Sequence, residues 1–217
     1  MVSSIATVRA LLVGLLLGLT GCPLSLYQAN RLPESRPLAE PVLFNHPGPL
    51  LHEPTKLLFE EEYQRFERVT AYRYDTTGQS VSFGYNDRRA DCLIVATIYI
   101  YPTPRMVFVG ASPNAVEVTE QKTLEQGFAE SKAEVDHYHP GLQSPLVGAS
   151  TTLAAGSELH GTSMIFRDSD SVSELRLFVY RHQWFLKYRF TYPEACRADA
   201  SARIDALVAS LPWAVAR

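Results

Sequence analysis

The chain has 217 residues, 20 Lys and Arg against 23 Asp and Glu, and a formal charge of -3. It contains no basic block, which excludes charge-driven docking to a nucleic-acid backbone or to anionic lipid. Its length suits one well-buried core, with residues left over for a tail.

The first element is an apolar run. The N-terminal amine and Arg9 give a short positive region, and residues 10–19 are uncharged and rich in leucine. A spanning helix needs about 20 apolar residues, so about 10 fit the hydrophobic part of a signal peptide instead. Extending the run backwards would carry Arg9 into the bilayer at a cost of about 2.5 to 3.5 kcal/mol. No later stretch is long and apolar enough to span: residues 93–101 are too few and include Thr97, Tyr99 and Tyr101.

The run ends in Leu19-Thr20-Gly21-Cys22. This resembles the lipobox of bacterial lipoproteins, an aliphatic residue and two small ones before a cysteine. The resemblance covers about the first 22 residues. It implies removal of residues 1–21 as a signal peptide, a diacylglycerol on the Cys22 thiol, and usually an acyl chain on the new amine. It therefore implies a lipid-anchored protein of the cell envelope facing the periplasm. Pro23 stands where an aspartate would signal retention at the inner membrane, which favours the outer one. Each buried methylene contributes about 0.8 kcal/mol, so two or three chains hold firmly where one is marginal. Removing the signal leaves 196 residues with a charge of -4.

Residues 23–54 hold seven of the fourteen prolines. Proline removes donors and favours extended backbone, so residues 22–55 are expected to form a lipidated tether. At roughly 3.1 Å per residue in polyproline II form, it would reach some 85 Å at most. Leu50 and Leu51 could instead pack on the domain surface.

The globular domain is expected over residues 56–217. Residues 57–66 suggest a short helix or turn, and strands follow at 69–74, 80–85 and 91–101, with Gly78 marking a hairpin turn. The third strand splits by period two. Cys92, Ile94, Ala96, Ile98 and Ile100 form an aliphatic face, suited to lie under a helix; Leu93, Val95, Thr97, Tyr99 and Tyr101 form the other. Apolar groups on both faces predict a central strand. A short strand is expected at 106–109. A helix is expected at 115–137, started by Asn114-x-x-Glu117 and striped by Leu124, Phe128, Val135 and Tyr138. Four strands then follow at 146–153, 158–167, 173–181 and 184–192. In the last, Trp184, Leu186, Tyr188, Phe190 and Tyr192 share a face, which pins its register. The second helix carries Cys196, Ala200, Ile204, Leu207 and Leu211 on one side, before Pro212.

This order predicts an α+β class: an antiparallel sheet of about seven strands packed with two helices. It is similar in topology to the PsbP/Mog1-like fold, over about residues 57–212. That resemblance implies an accessory or binding protein more than an enzyme.

Among candidate sites, Cys92 opens the central strand and Cys196 the last helix. An oxidising compartment would let them pair; the alternative is two separate buried thiols. No nucleophile, phosphate-loop, dinucleotide or zinc-protease motif occurs, so no catalytic residue and no cofactor is assigned. Asp136, His137 and His139 are the one cluster of metal-ligand type, yet a structural zinc site wants four ligands. Their other reading is a cationic end complementing the helix dipole. The candidate binding face is Tyr99, Tyr101, Lys187 and Arg189, with Arg73 beside them if the strand order allows, since Arg and Tyr favour interfaces. The competing reading is a half-solvated sheet face covered by long polar stems. The sequence thus points to a membrane-anchored, non-catalytic binding or assembly module that meets another envelope protein. The alternatives are an envelope hydrolase built from dispersed residues and a metal-handling protein.

Overall fold

The computed structural model describes residues 32–89, 91–104, 113–138, 143–148, 160–168, 170–181 and 183–210. In chain order these form β1 (Pro37–Leu43), β2 (Leu50–His52), β3 (Leu57–Phe59), β4 (Glu62–Tyr63), β5 (Phe66–Asp75), β6 (Val81–Arg89), β7 (Cys92–Pro102), α1 (Pro113–Tyr138), β8 (Gln143–Gly148), β9 (His160–Asp168), β10 (Ser171–Tyr180), β11 (Trp184–Pro193), a 3-10 turn (Glu194–Cys196) and α2 (Arg197–Ser210). The expected signal segment with Cys22, the strand at 106–109, His139 and the stop at Pro212 lie outside the described residues.

The expected class holds. The main sheet runs β1-β5-β6-β7-β11-β10-β9-β8, with β4 beside β5, and every pairing is antiparallel. β7 is central, between β6 and β11. Alternation along its strands gives the sheet two faces. On one, Ile94, Ala96, Ile98 and Ile100 join Phe83, Tyr85, Leu186, Tyr188 and Phe190 in a core closed by Ala200, Ile204, Leu207 and Val208 of α2. On the other, Leu175, Leu177, Val179 and Phe185 pack against Leu124, Phe128 and Val135 of α1. The helices therefore lie on opposite sides of the sheet.

α2 has two fastenings besides its apolar stripe. Cys92 and Cys196 are joined in a disulfide, Cα atoms 5.9 Å apart. Arg203 Nε donates to the buried Asp87 carboxylate at 2.7 Å.

Two expectations are corrected. Where a short helix or turn was expected over 57–66, residues 57–59 and 62–63 are strands β3 and β4, and only a turn at Gln64, with φ 56°, separates β4 from β5. Leu57 and Phe59 are both buried, a period-two pattern over a stretch too short to show it clearly in sequence. Residues 37–43 and 50–52, expected within a proline-rich tether, are instead strands of the fold. Residues 37–43 pair with β5, and β2 pairs with β3 to place Leu50 in the core. Pro37 and Pro41 are tolerated because β1 is an edge strand, where a missing donor leaves no ladder partner unmet. Arg68 holds this segment down. Its guanidinium donates to Asn45 Oδ1 (2.9 Å) and to the carbonyls of Phe59 (2.6 Å), His46 (2.9 Å) and Gly48 (2.7 Å).

Candidate functional site

The β7–β11 register sets Lys187 opposite Tyr99, Phe185 opposite Tyr101 and Arg189 opposite Thr97. Tyr99, Tyr101, Lys187 and Arg189 therefore share one face, the α1 side. Arg73 does not join them: it sits opposite Val81, whose own partner is Ile100, so it belongs to the α2 side.

α1 divides this face into a covered and an open part. Under the helix, the Lys187 ammonium is 2.9 Å from Glu134 Oε2, 5.0 Å from the Tyr99 ring centroid and 5.7 Å from that of Tyr101. Lys187 is only 8% exposed. Burial pushes the Tyr101 hydroxyl up to about 12, although it hydrogen-bonds Ser131 of α1. Tyr99 lies at the border. Burial and the neighbouring Tyr74 raise its pKa, and a hydrogen bond from Arg189 works the other way.

Beyond the border the face is open. Leu93 is 46% and Val95 41% exposed, although both sit on the central strand. Val95 lies between Asn86 of β6 and Thr191 of β11, and Leu93 faces Arg88. Leu93, Val95, Thr97 and Tyr99 thus make a row flanked by polar and basic groups. Sequence alternation places these residues on one face, but not how far α1 reaches along it. Apolar area ringed by hydrogen-bonding groups can hold a protein surface; it offers no paired nucleophile and base.

The other candidates separate. Asp136 forms an ion pair with Lys132 one helical turn away (2.5 Å), beside the exposed His137. Among the described residues, no three His, Cys, Asp or Glu side chains converge in a way that could hold a metal.

His52 is one of several buried polar groups, with Arg68, Asp75, Glu174 and Arg176, that escaped sequence reading. His52 lies edge-on to Trp184, centroids 5.3 Å apart, with Nδ1 2.7 Å from Thr55 Oγ1 and Nε2 3.0 Å from the Gly78 carbonyl. A carbonyl only accepts, so Nε2 carries the proton and Nδ1 receives one from Thr55. Burial lowers His52 to about 4, against the raising effect of its backbone bonds. Its only local signal was the spacing to Thr55.

No protein-family model, curated protein or solved structure matches this chain. Among the described residues, no helix is long and apolar enough to cross a membrane.

Proposed function

We propose that this protein is a bacterial cell-envelope lipoprotein, acylated on Cys22 after removal of residues 1–21. In this reading its α+β part stands in the periplasm, with the outer membrane favoured, and binds another envelope protein without catalysing a reaction. The observation that carries the location is the short leucine-rich run ending in Leu19-Thr20-Gly21-Cys22. The accessory role is the one implied by the PsbP/Mog1-like order of elements. It is supported by the exposed Leu93 and Val95, continued by half-buried Thr97 and Tyr99 beside Arg189, which offer apolar area and forked donors on a central strand.

The location is tested by the mass of the N-terminal peptide from native cells. It should begin at Cys22 and carry fatty acyl chains, and Cys22→Ser should lose both the cleavage and the acyl mass. A wild-type chain without acyl mass would refute the anchoring. For binding, a photocrosslinking residue at position 95 should trap one discrete envelope protein, and Arg189→Glu should weaken that product. A probe at Leu51, apolar and exposed on the small β2–β3 sheet, should not trap it. Equal trapping from both positions would count against this face.

A further inference from the structure

The chain enters its folded part at one end of the main sheet. Gln79 Nε2 donates to the Pro33 carbonyl (2.7 Å), and Thr77 Oγ1 to Ser35 Oγ (2.9 Å). The Arg36 N–H donates to Thr76 Oγ1 (3.2 Å), and the Thr76 N–H returns a bond to the Arg36 carbonyl (3.0 Å). All these partners lie in the β5–β6 turn. That turn is rigid, because the Asp75 carboxylate accepts the N–H groups of Thr77, Gly78, Gln79 and Ser80 at 3.1, 2.5, 3.0 and 2.8 Å.

Register shows what else shares that end. Val81 is opposite Ile100, Pro102 opposite Trp184, and Trp184 opposite Tyr180. The Arg181 guanidinium reaches the Thr55 carbonyl (3.3 Å), bringing the β2–β3 turn with Glu53 and Lys56 alongside. The opposite end carries Arg88, Arg89, Asp91 and Pro193. The eleven residues of β7 separate the two ends by roughly 35 Å, at about 3.3 Å per residue.

Cys22 is eleven residues before Pro33. Eleven residues of any chain reach no more than about 40 Å, and an unstructured chain of that length averages about 18 Å. The mean reach is well short of the sheet's length. We infer that the end bearing the β5–β6 turn, Lys56 and Arg181 faces the bilayer, and that the Leu93–Val95 end faces away from it. This rests on the proposed acylation of Cys22. Among the described residues, the bilayer-facing end carries exposed Arg36, Lys56 and Arg181 against Glu34 and Glu53, a nearly balanced set. These charged groups suit a layer of lipid headgroups. The short leash sets the orientation; attraction to lipid is not required.

The test uses the acylated protein in phosphatidylcholine vesicles that contain a trace of acceptor-labelled phosphatidylethanolamine. With Cys22 acylated and Cys92 bonded to Cys196, one introduced cysteine is the single free thiol for a donor dye. Lys56→Cys and Arg88→Cys mark the two ends; Glu53→Cys and Asp91→Cys replace either that misfolds. Energy transfer to the bilayer should be severalfold stronger from position 56 or 53 than from 88 or 91. Inserting twenty Gly and Ser residues between Leu24 and Ser25 should abolish the difference. Equal or reversed transfer with acyl mass present on Cys22 overturns the orientation alone. A difference that survives the insertion overturns the leash as its cause. Absence of acyl mass overturns the anchoring and the orientation together.

Discussion

Lys187 and Glu134 tie the sheet to α1: the ammonium of one lies 2.9 Å from the carboxylate of the other, with the rings of Tyr99 and Tyr101 against the lysine. The two halves of this contact differ in strength. The Glu134 side chain is about half exposed, so the ion pair is worth less than about 1 kcal/mol. The cation against two aromatic faces is buried, and contributes up to about 2 kcal/mol. Glu134→Gln should therefore cost less than about 1 kcal/mol, while Lys187→Met, which keeps the stem and loses the charge, should cost about 1 to 2 kcal/mol. Urea unfolding of both variants checks the order. Equal costs would show that the carboxylate, not the rings, carries the contact.

Acid should weaken the fold in two separate windows. Neutral His52 is held at about 4, against 6.5 for the free side chain. Between those values the unfolded chain binds the extra proton, so stability is complete above pH 6.5 and falls as pH drops towards 4. The loss amounts to about 3 kcal/mol. Asp75 acts lower. Burial pushes its carboxyl up, but the Ser35 hydroxyl and the N–H groups of Ser80 and Gly78 outweigh it and leave the pKa below the usual value. Its contribution is lost only below about pH 4. In His52→Gln the slope of stability against pH between 6.5 and 4 should shrink by about one proton. An unchanged slope would assign the titration elsewhere.

How much of this was legible in sequence depends on where the information sits. Strand β11 follows from alternation: Trp184, Leu186, Tyr188, Phe190 and Tyr192 are all buried, as their period requires, whereas β8, expected at 146–153, lies at Gln143–Gly148. α1 was expected at 115–137 and spans 113–138. β1 was not legible, because PLAEPVL has no alternation and six of its seven residues are exposed. The backbone of β5 makes it a strand. The candidate face was half legible. Period two groups Tyr99 with Tyr101 and Lys187 with Arg189, and pairing of β7 with β11 merges the groups. Which part stays open depends on where α1 lies, and this is a tertiary fact. Arg73 was misplaced for a related reason: the β5–β6 register shifts between Arg68 and Thr70, so counting along β5 cannot assign its face.

The disulfide closes a long loop. Cys92 and Cys196 are 104 residues apart, which in the chain-entropy model corresponds to roughly 4 to 5 kcal/mol. The fold does not rest on it alone, since Arg203, Ile204, Leu207 and Val208 also hold α2. Replacing both cysteines by alanine should lower the denaturant midpoint by an amount equivalent to roughly 2 to 5 kcal/mol, with far-ultraviolet dichroism unchanged at low denaturant. Loss of the native spectrum would mean that the bond is required for the fold itself.

Gly127 looks like a weakness of α1 and is instead a contact. In an exposed helix interior, glycine to alanine gains up to about 1 kcal/mol. Here a Cβ would meet Phe185 Cζ at 2.5 Å, Cε1 at 3.0 Å and Cε2 at 3.1 Å. The ring cannot retreat, because Phe185 is buried among Leu124, Leu177 and Val179. Overpacking of this kind costs about 1 to 3 kcal/mol, so Gly127→Ala should destabilise despite its better propensity. The decisive measurement is a double-mutant cycle with Phe185→Leu, which removes the ring tip at the price of a cavity. In the Leu background Gly127→Ala should become neutral or stabilising, a coupling of at least about 1 kcal/mol between residues in contact. Additive effects of the two substitutions would mean that the close approach of helix and ring is not what requires glycine at this position.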